Sequence, residues 1–412
     1  MSDSTELRRR LSRLGRGRAA VKAAAGTVPR NEGLPPGSEV ATPAGIAYRI
    51  DSRYPYDHPH GPGRLADLLA FEAGLAADVA RQPHLADVPI ERLAFLDTET
   101  TGLAGGAGTL VFLVGIGTFQ AGEFYLRQYF LRTPAEEAGM LQALQEDLET
   151  TAGFVTFNGQ AFDLPLLEMR YLIGLRRHWA LTRWPHLDLL PPSRRLWRHV
   201  LPDCSLSTLE SHMLGVRRTE ADVPGALIPA MYLNYLRTGE TGEMTRVVYH
   251  NALDVLSLVG LAAKVLERHR QERLGQLSGP EALAVARWHQ TAGRNEPAEE
   301  AYRAALAAGD DSVVRLETLR RYAQHLKRLG RSEEAVEGWA AWHALEPGDP
   351  EPCLELAKYF EWQQRDLPEA RRWAEAALVC LTHWNPGWRR GEAWEAVEHR
   401  LKRLARKMGA EG

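Results

Sequence analysis

The sequence of 412 residues is poor in cysteine: it has only Cys204, Cys353 and Cys380, at spacings that fit neither a disulfide framework nor a zinc knuckle. That scarcity favours a reducing compartment. No apolar run is long enough to cross a membrane, and none follows the arginine-rich residues 1–18 as it would in a secretory signal. The net charge of −3 at pH 7 excludes a polycation, so any nucleic-acid surface must be local. We therefore expect a soluble, cytoplasmic protein.

The sequence does contain enough hydrophobic residues, 44%, for two or three domains. Residues 1–40 predict a basic, flexible arm, solvated rather than bound to phosphates; its basic residues are Arg8, Arg9, Arg10, Arg13, Arg16, Arg18 and Lys22. Residues 41–92 predict an N-terminal extension that packs on the next domain. An α/β domain over residues 93–270 and an all-helical region over residues 280–412 complete the predicted organisation.

The order of elements over residues 93–268 predicts a sheet. Three consecutive strands with short connections favour antiparallel neighbours, after which helices and strands alternate. Strands are predicted at 93–98, 109–119, 123–131, 153–157 and 186–190, the last stopped by Pro191 and Pro192, and helices at 134–148, 164–175 and through most of 207–268. This is the order of an α/β fold with a ribonuclease-H-like mixed sheet and flanking helices.

The C-terminal region repeats itself about every 34 residues. Each repeat has a short segment followed by a small or aromatic residue: Glu299–Ala301, Glu333–Ala335 and Pro368–Ala370, then Ala305, Trp339 and Ala374. About three such units resemble tetratricopeptide repeats, whose concave surface would take a protein partner. Four tryptophans of the region are expected in its core: Trp339, Trp342, Trp362 and Trp373.

Two carboxylates interrupt an apolar strand. Asp97 and Glu99 lie two residues apart, so their side chains share one face of the strand, the face of Phe95. Burying both without a partner would cost several kcal/mol per ion, and a divalent cation is a natural partner. An acidic pair on an edge strand is the alternative interpretation.

Two further carboxylates are candidates for the same site. Asp163 follows a turn that Gly159 permits and stands near a helix N-terminus, where capping of the helix is an equally good explanation. Asp254 lies on an apolar helix face and shares that face with His250. A satisfied buried Asp–His pair is the alternative there.

Together these segments resemble the motifs of the DnaQ-like (DEDD) 3′–5′ exonucleases. The run Asp97-Thr98-Glu99-Thr100-Thr101-Gly102 is similar to their first motif, the segment from Asn158 to Asp163 to their second, and Asp254 to their last aspartate. The segment from Ser205 to Gly215 is similar to the helix before their third motif. The resemblance covers about residues 93–268, and with the repeats it is greatest to the YprB-like bacterial proteins.

The resemblance implies a metal-dependent nuclease, a 3′–5′ exonuclease on single-stranded DNA or RNA ends, with two Mg²⁺ or Mn²⁺ ions about 3.5–4 Å apart. Asp97 would bridge both ions. Glu99 and Asp254 would hold the ion that activates water, and Asp163 would bind the second ion. No membrane partner is expected.

The group that assists the attacking water is where the sequence departs from the family pattern. The family has a Tyr four residues before the last Asp, or a His five residues before it. This chain has His250 at minus four and Tyr249 at minus five. We favour His250, because it shares the face of Asp254 and can act as a base near neutral pH. The resemblance also implies substrate contacts from Asn158 and Phe162.

The swapped pair leaves another function open. A nuclease fold with weak or lost activity could bind nucleic acid and recruit a protein through its repeats. An endonuclease ranks below the exonuclease, because an Asp-x-Glu pair on one strand resembles the exonuclease branch.

Two more features of the sequence each allow two interpretations. Asp188, at a strand end, is expected to make a structural hydrogen bond rather than add a fifth acidic ligand. A basic, aromatic segment fits a single-strand channel as well as it fits solvated helices with a tryptophan core. Its residues are Arg170, Arg176, Arg177, Arg183, Arg194, Arg195 and Arg198, with Trp179, Trp184 and Trp197.

Overall fold

The computed structural model describes residues 33–102, 108–219, 221–309 and 311–410, so most of the predicted arm lies outside the described residues. The strands found within them are β1 (Ser38–Thr42), β2 (Gly45–Pro55), β3 (Pro59–His60), β4 (Gly63–Arg64), β5 (Leu93–Thr100), β6 (Val111–Gln120), β7 (Glu123–Phe130), β8 (Gly153–Thr156) and β9 (His186–Asp188). One mixed sheet has the order β1-β2-β7-β6-β5-β8-β9, and β3 pairs with β4 in a separate hairpin. The predicted mixed sheet is confirmed.

The connections explain why the sheet is mixed. Ala121 and Gly122 take positive φ angles of 47° and 87°, so a two-residue turn joins β6 to β7 as an antiparallel hairpin. β5 pairs antiparallel with β6 but parallel with β8, which pairs parallel with β9. Parallel pairs need long crossovers, and the segments 131–152 and 157–185 supply them with helices.

Helices flank the sheet and form the C-terminal region. The α-helices are α1 (Ala73–Ala80), α2 (Glu137–Leu148), α3 (Asp163–Leu175), α4 (Leu190–Trp197), α5 (Leu206–Met213), α6 (Ile228–Thr238), α7 (Gly242–Arg268), α8 (Gly279–Thr291), α9 (Asn295–Ala307), α10 (Ser312–Arg328), α11 (Ser332–Leu345), α12 (Pro350–Tyr359), α13 (Leu367–Thr382) and α14 (Trp388–Ala410). Short 3₁₀ segments are Leu65–Ala70, Pro83–Asp87, Ile90–Arg92, Pro134–Glu136, Leu181–Arg183, Gly225–Leu227 and Gln271–Gln276, and Phe360–Gln364 is π-helical. In the described part of the chain, no helix has the length and apolarity that a membrane span requires.

Strand β5 is buried on both faces at the centre of the sheet. One face meets a core built with α2, α3 and α6, and the other, which carries Phe95, meets a core that α7 crosses. Because side chains alternate along a strand, Asp97 and Glu99 leave β5 on the face of Phe95, and Thr98 leaves it on the opposite face. The acidic pair therefore lies on a central strand, and the edge-strand interpretation is wrong.

The N-terminal boundaries differ from those predicted. The end of the predicted arm, at residue 40, falls inside β1, which pairs with β2. Strand β2 in turn pairs with β7 of the main sheet, so part of the predicted extension, residues 41–92, belongs to the sheet itself. The Tyr48 hydroxyl donates to the Pro35 carbonyl oxygen at 2.8 Å, which fastens the chain ahead of β1.

The last strand is shorter than the sequence pattern predicts. The prediction of strand 186–190 is wrong beyond Asp188, because Leu190 already begins α4. Pro191 and Pro192 lie in the first turn of that helix. Proline fits there, since the amide hydrogens of a first helical turn have no partner within the helix.

The C-terminal helices α8 to α14 pack on their neighbours in chain order, so the predicted all-helical region is confirmed. Ala301, Ala335 and Ala370 are all fully buried, which makes the repeated positions equivalent in packing. Helices α8 and α9 also share a core with the sheet domain, and Trp197 Nε1 donates to Glu281 Oε1 across that junction at 2.9 Å. The first helical pair is thus anchored on the sheet domain.

The repeat tryptophans divide into buried and exposed ones. Trp339 and Trp342 are buried and Trp373 is half-buried, but Trp362 is 57% exposed, so the core prediction is wrong for Trp362. It lies in the π-helical turn after α12, whose extra residue per turn rotates the following side chains away from the helical pattern.

Candidate metal-dependent active site

Four acidic side chains converge at the end of β5. Asp97 and Glu99 project from β5, Asp163 is the first residue of α3, and Asp254 lies in α7. Burial raises the pKa of Asp97 and of Glu99 well above the ordinary values, and repulsion from the neighbouring carboxylates, Asp254 foremost, raises them further. Burial also raises the pKa of Asp163, to about 6, and the pKa of Asp254. All four carboxylates singled out in the sequence are therefore neighbours.

Thr98 connects Asp163 to the strand. Its hydroxyl donates a hydrogen bond to Asp163 Oδ1 from the face of β5 opposite to Asp97. Phe162, not Asp163, is the N-cap residue of α3. Asp163 therefore does not cap the helix, and the alternative interpretation is wrong.

Asn251 positions the Asp97 carboxylate. Its Nδ2 donates to Asp97 Oδ2 at 2.8 Å, and its Oδ1 accepts from Gln128 Nε2 at 2.8 Å. Gly115, which pairs with Asp97 from strand β6, leaves room for the Asn251 side chain. A Cβ at Gly115 would lie only 2.4 Å from Asn251 Oδ1. Sequence reasoning did not single out Asn251 or Gln128, and the one signal for Asn251 was its place beside His250 in the third motif.

His250 faces the carboxylates with one ring nitrogen. Its Nε2 lies 3.4 Å from Asp254 Oδ2 and 3.8 Å from Glu99 Oε1. Its Nδ1 lies 2.7 Å from Asp222 Oδ1 and 2.9 Å from Arg218 Nη1. Nδ1 can either donate to Asp222 Oδ1 or accept from Arg218 Nη1, and the tautomer that donates to Asp222 leaves Nε2 as an acceptor toward the site.

Tyr249 is placed differently. Its side chain is 37% exposed, whereas His250 is 8% exposed and points into the acidic cluster. This follows from helix geometry, in which the residue at minus four shares the face of Asp254 and the residue at minus five does not.

Arg218 is a further site residue that sequence reasoning missed. Its Nε donates to Glu210 Oε2 at 2.6 Å, its Nη1 contacts Asp222 Oδ2 at 3.3 Å, and its Nη2 donates to Asp254 Oδ1. Glu210 is 1% exposed, so the Arg218–Glu210 pair is an ion pair inside the protein. Glu210 lies in the helix resembling the one that precedes the third motif, but no sequence pattern joins it to Arg218.

The turn before Asp163 is held by Asp188. Asp188 Oδ1 accepts the backbone N–H of Asn158 at 2.8 Å, which confirms its predicted structural hydrogen bond. Asn158 is exposed and takes a left-handed φ of 66°, and Gly159 follows because a Cβ there would lie 2.4 Å from Thr156 Oγ1. Phe162 is half-buried at the end of the same turn.

The tryptophans of the basic, aromatic segment pack in or against the core. Trp197 is 1% exposed, Trp184 stacks on Phe154 with ring centroids 5.3 Å apart, and Trp179 packs edge-on against Trp184. The core interpretation is confirmed for Trp197, whereas Trp179 and Trp184 are half-buried at the margin of the core. The arginines that remain exposed are Arg176, Arg177, Arg183, Arg194 and Arg198.

The donor set fits a divalent cation. One ligand atom each from Glu99, His250 and Asp254 lies within 4.8 Å of the others. Carboxylate oxygens are the ligands that Mg²⁺ and Mn²⁺ prefer. Burial and then repulsion among the carboxylates raise the pKa values of Asp97 and Glu99, and a bound cation would offset both effects.

Comparisons with known proteins agree with this geometry. The family model described as RNase_H superfamily matches residues 94–266, from β5 almost to the end of α7. The chain is also 31% identical over 372 residues to YprB of Bacillus subtilis (strain 168), across 87% of this chain and 85% of that protein, which is described as uncharacterized. An RNase H-like domain with clustered carboxylates suggests a nuclease. The chain belongs to the YprB family, and its central domain belongs to the RNase_H superfamily.

Proposed function

We propose that the protein is a metal-dependent nuclease that hydrolyses phosphodiester bonds of DNA or RNA by a two-metal mechanism. The observation that carries the proposal is the convergence of Asp97, Glu99, Asp163 and Asp254, since several buried carboxylates without a cation are costly. The RNase_H superfamily match supports the same class of reaction.

The carboxylates have separate roles in this proposal. Asp97, fixed by Asn251, would be a ligand of both Mg²⁺ or Mn²⁺ ions. Glu99 and Asp254 would hold the ion that activates water, and Asp163 would hold the second. When bound, such ions lower the pKa of water and stabilise the charge that develops on the leaving oxygen.

His250 is proposed to take the proton of the attacking water. Its Nε2 faces the space between Glu99 and Asp254, and the contact of Nδ1 with Asp222 orients the ring. As the water oxygen bonds to phosphorus, the bond from phosphorus to the leaving oxygen breaks. The leaving oxygen takes a proton from solvent, and the imidazolium returns its proton to solvent. Asp222, although outside the metal set, thereby acts as a positioning residue.

We further propose 3′–5′ exonuclease activity on single-stranded ends. The support is the likeness of the segments from Asp97 to Gly102 and from Asn158 to Asp163 to the DnaQ-like motifs. Asn158 is exposed on the turn that leads to Asp163 and is assigned to the terminal nucleotide together with Phe162.

A cleavage assay tests the proposal. Single-stranded DNA and RNA oligomers labelled at the 5′ end are incubated with wild type or Asp97→Ala, in Mn²⁺, Mg²⁺ or EDTA. A ladder that shortens with time in metal, and that EDTA and Asp97→Ala abolish, is expected. We expect Asp97→Ala to slow cleavage at least roughly 10²-fold.

Controls separate the alternatives. Glu146→Gln removes an exposed carboxylate on α2, away from the site, and should cleave like wild type. Cutting of circular single strands would replace the exonuclease proposal with an endonuclease. Oligomer binding without cleavage in any metal, unchanged by Asp97→Ala, would replace it with the adaptor function.

We also propose that residues 280–412, as tetratricopeptide-like repeats, bind a protein partner. The support is exposed apolar surface on the last helices, where Val379 is 60% and Trp388 is 74% exposed. In full-length protein, Val379→Ser with Trp388→Ala should lose partners that co-purify with wild type. Val313→Ser, at a 73% exposed position on α10, is the matched control. Equal loss from both variants, or from neither, would contradict this assignment.

A further inference from the structure

Three potential metal ligands converge in the repeat region, far along the chain from the carboxylates. His343 lies on α11, Cys353 on α12 and Cys380 on α13. Cys353 Sγ is 3.3 Å from His343 Nδ1, and the three ligand atoms all lie within 4.8 Å of one another. The fold thus brings together two of the three cysteines in the sequence with a histidine.

The three candidate ligands differ in how deeply they are buried. Cys353 is 0% and Cys380 is 1% exposed, in an apolar core with Ala357 and Ala374. His343 is half-buried at the outer side and packs edge-on against Trp373, with ring centroids 5.7 Å apart. The imidazole therefore lies between the two buried sulfur atoms and the outer surface of the repeat region. Packing alone explains a buried thiol, which behaves as a small apolar group, but it does not require a ring nitrogen turned toward one.

The spacing of these atoms suits a small thiophilic cation. Zn²⁺ binds thiolate sulfur at about 2.3 Å and imidazole nitrogen at about 2.0–2.1 Å in a tetrahedron, which sets ligand atoms roughly 3.5–3.8 Å apart. In this cluster, Cys353 Sγ and His343 Nδ1 are 3.3 Å apart and all three ligand atoms lie within 4.8 Å of one another, which is compatible with that range. Soft sulfur ligands select Zn²⁺ over Mg²⁺, so this cluster and the carboxylates differ in the metal they take.

We propose that His343, Cys353 and Cys380 form a zinc site that joins α11, α12 and α13. On binding, each thiol releases its proton to solvent, and two thiolates with a neutral imidazole balance the charge of the ion. The complex thus adds no net charge to the apolar core, which removes the main cost of placing an ion there. A water molecule takes the fourth position on the outer side, beside His343.

A zinc ion uses all three side chains, whereas a disulfide between Cys353 and Cys380 would use only two of them. Three helices from successive units would be fixed by one bond network, and the end of the stack would be stabilised as long as the ion is bound. The site is independent of the proposed nuclease activity.

Cobalt(II) binding to the full-length, reduced protein tests the site. Thiolate-to-Co²⁺ charge-transfer absorption in the near ultraviolet arises only from sulfur ligands, so Co²⁺ among the carboxylates does not contribute. We expect the band to saturate at one Co²⁺ per chain and to disappear when Zn²⁺ is added. Cys353→Ser and Cys380→Ser should lose it and His343→Ala should weaken it, whereas Cys204→Ser should keep it.

Two wild-type results keep the test independent of variant folding. In mild denaturant, where local opening exposes buried thiols, Zn²⁺ should slow the alkylation of Cys353 and Cys380. A reduced wild type that shows no charge-transfer band, or whose thiols Zn²⁺ does not protect, overturns the proposal. So does a band that survives in both Cys353→Ser and Cys380→Ser.

Discussion

The guanidinium of Arg218 donates a hydrogen bond to the carboxylate of Asp254, one of the four acidic residues proposed to hold metal. The same guanidinium is held by Glu210 through two hydrogen bonds, of 2.6 and 2.8 Å. A metal cation that binds Asp254 would therefore have to compete with the fixed positive charge of Arg218. Arg218 thus supplies a positive charge to the acidic cluster.

Replacing Arg218 tests two roles separately: its ion pair with buried Glu210 and its competition with metal for Asp254. Arg218→Met leaves Glu210 buried without its partner, and we expect the metal-free protein to lose about 3 kcal/mol in the free energy of unfolding. The same change should tighten Mn²⁺ binding, because Asp254 loses its competing cation. Urea unfolding in EDTA and calorimetric titration with Mn²⁺ measure the two effects.

The double variant Arg218→Met with Glu210→Gln provides the control. It removes both charges of the pair, so stability should recover while Mn²⁺ binding stays tighter than in wild type. Unchanged or weaker Mn²⁺ binding in both variants would show that Arg218 does not compete for the site.

His250 and Tyr249 should differ sharply when mutated. His250→Asn should lower kcat roughly 10²–10⁴-fold, because it removes the proposed base. The loss should hold at every pH at which wild type cleaves. Steady-state cleavage rates over a pH series provide the measurement.

Tyr249→Phe is the matched control for this prediction. Tyr249 is adjacent in sequence but 37% exposed, so loss of its hydroxyl should leave both the rate and the pH profile near those of wild type. The opposite ranking of the two variants would assign the water-assisting role to Tyr249.

Much of the fold could be predicted because its signals are local. The apolar strand ending in Asp97 and Glu99, the turn at Gly122 and the repeated buried alanines each follow from short-range periodicity. The errors lie where local patterns compete. Pro191 and Pro192 predict the end of a strand as readily as the first turn of a helix, and only tertiary packing decides between them.

The candidate site was predictable as far as its motifs reach. The supporting residues were not: Arg218 meets Glu210, and Asn251 meets Gln128, through contacts that no spacing in the sequence encodes. The same holds for Cys353, whose distance along the chain from Cys380 excluded a zinc knuckle but not a site assembled by packing helices.

Asp163 should make the stability of the metal-free protein depend on pH. Burial raises the pKa of Asp163 from 3.8 to about 6, so the folded state holds its proton longer than the unfolded chain does. The resulting stability is present below pH 4 and is lost as the pH rises through about 6. At about 1.4 kcal/mol per pKa unit, the loss is about 3 kcal/mol at most.

The difference between wild type and Asp163→Asn reports this contribution together with the repulsion that Asp163 exerts on Asp97 and Glu99. Buried His186, whose pKa burial lowers to about 4, titrates in the same pH range with the opposite effect, but it is present in both proteins. In EDTA, we expect Asp163→Asn to match wild type near pH 4 and to be the more stable protein above about pH 6. A difference that does not change with pH would contradict the raised pKa.

Gly115 should be required for the position of Asp97. A Cβ at Gly115 would lie 2.4 Å from Asn251 Oδ1 and 2.9 Å from Val255 Cγ2, so Gly115→Ala must push α7 away from the sheet. We expect a destabilisation of about 1–3 kcal/mol from overpacking. We also expect slower cleavage, because the hydrogen bond from Asn251 to Asp97 is lengthened. Chemical denaturation and kcat in saturating Mn²⁺ measure the two consequences.

Gly242→Ala distinguishes this effect from a general response of α7 to alanine. Gly242 begins the same helix with nothing within 4 Å of its added Cβ, so alanine there should leave stability and cleavage equal to wild type or slightly better. If Gly115→Ala is destabilised but cleaves at the wild-type rate, the Asn251 contact does not position Asp97 for catalysis. If both quantities fall together only in Gly115→Ala, the close approach of helix to sheet is what holds the carboxylate in place.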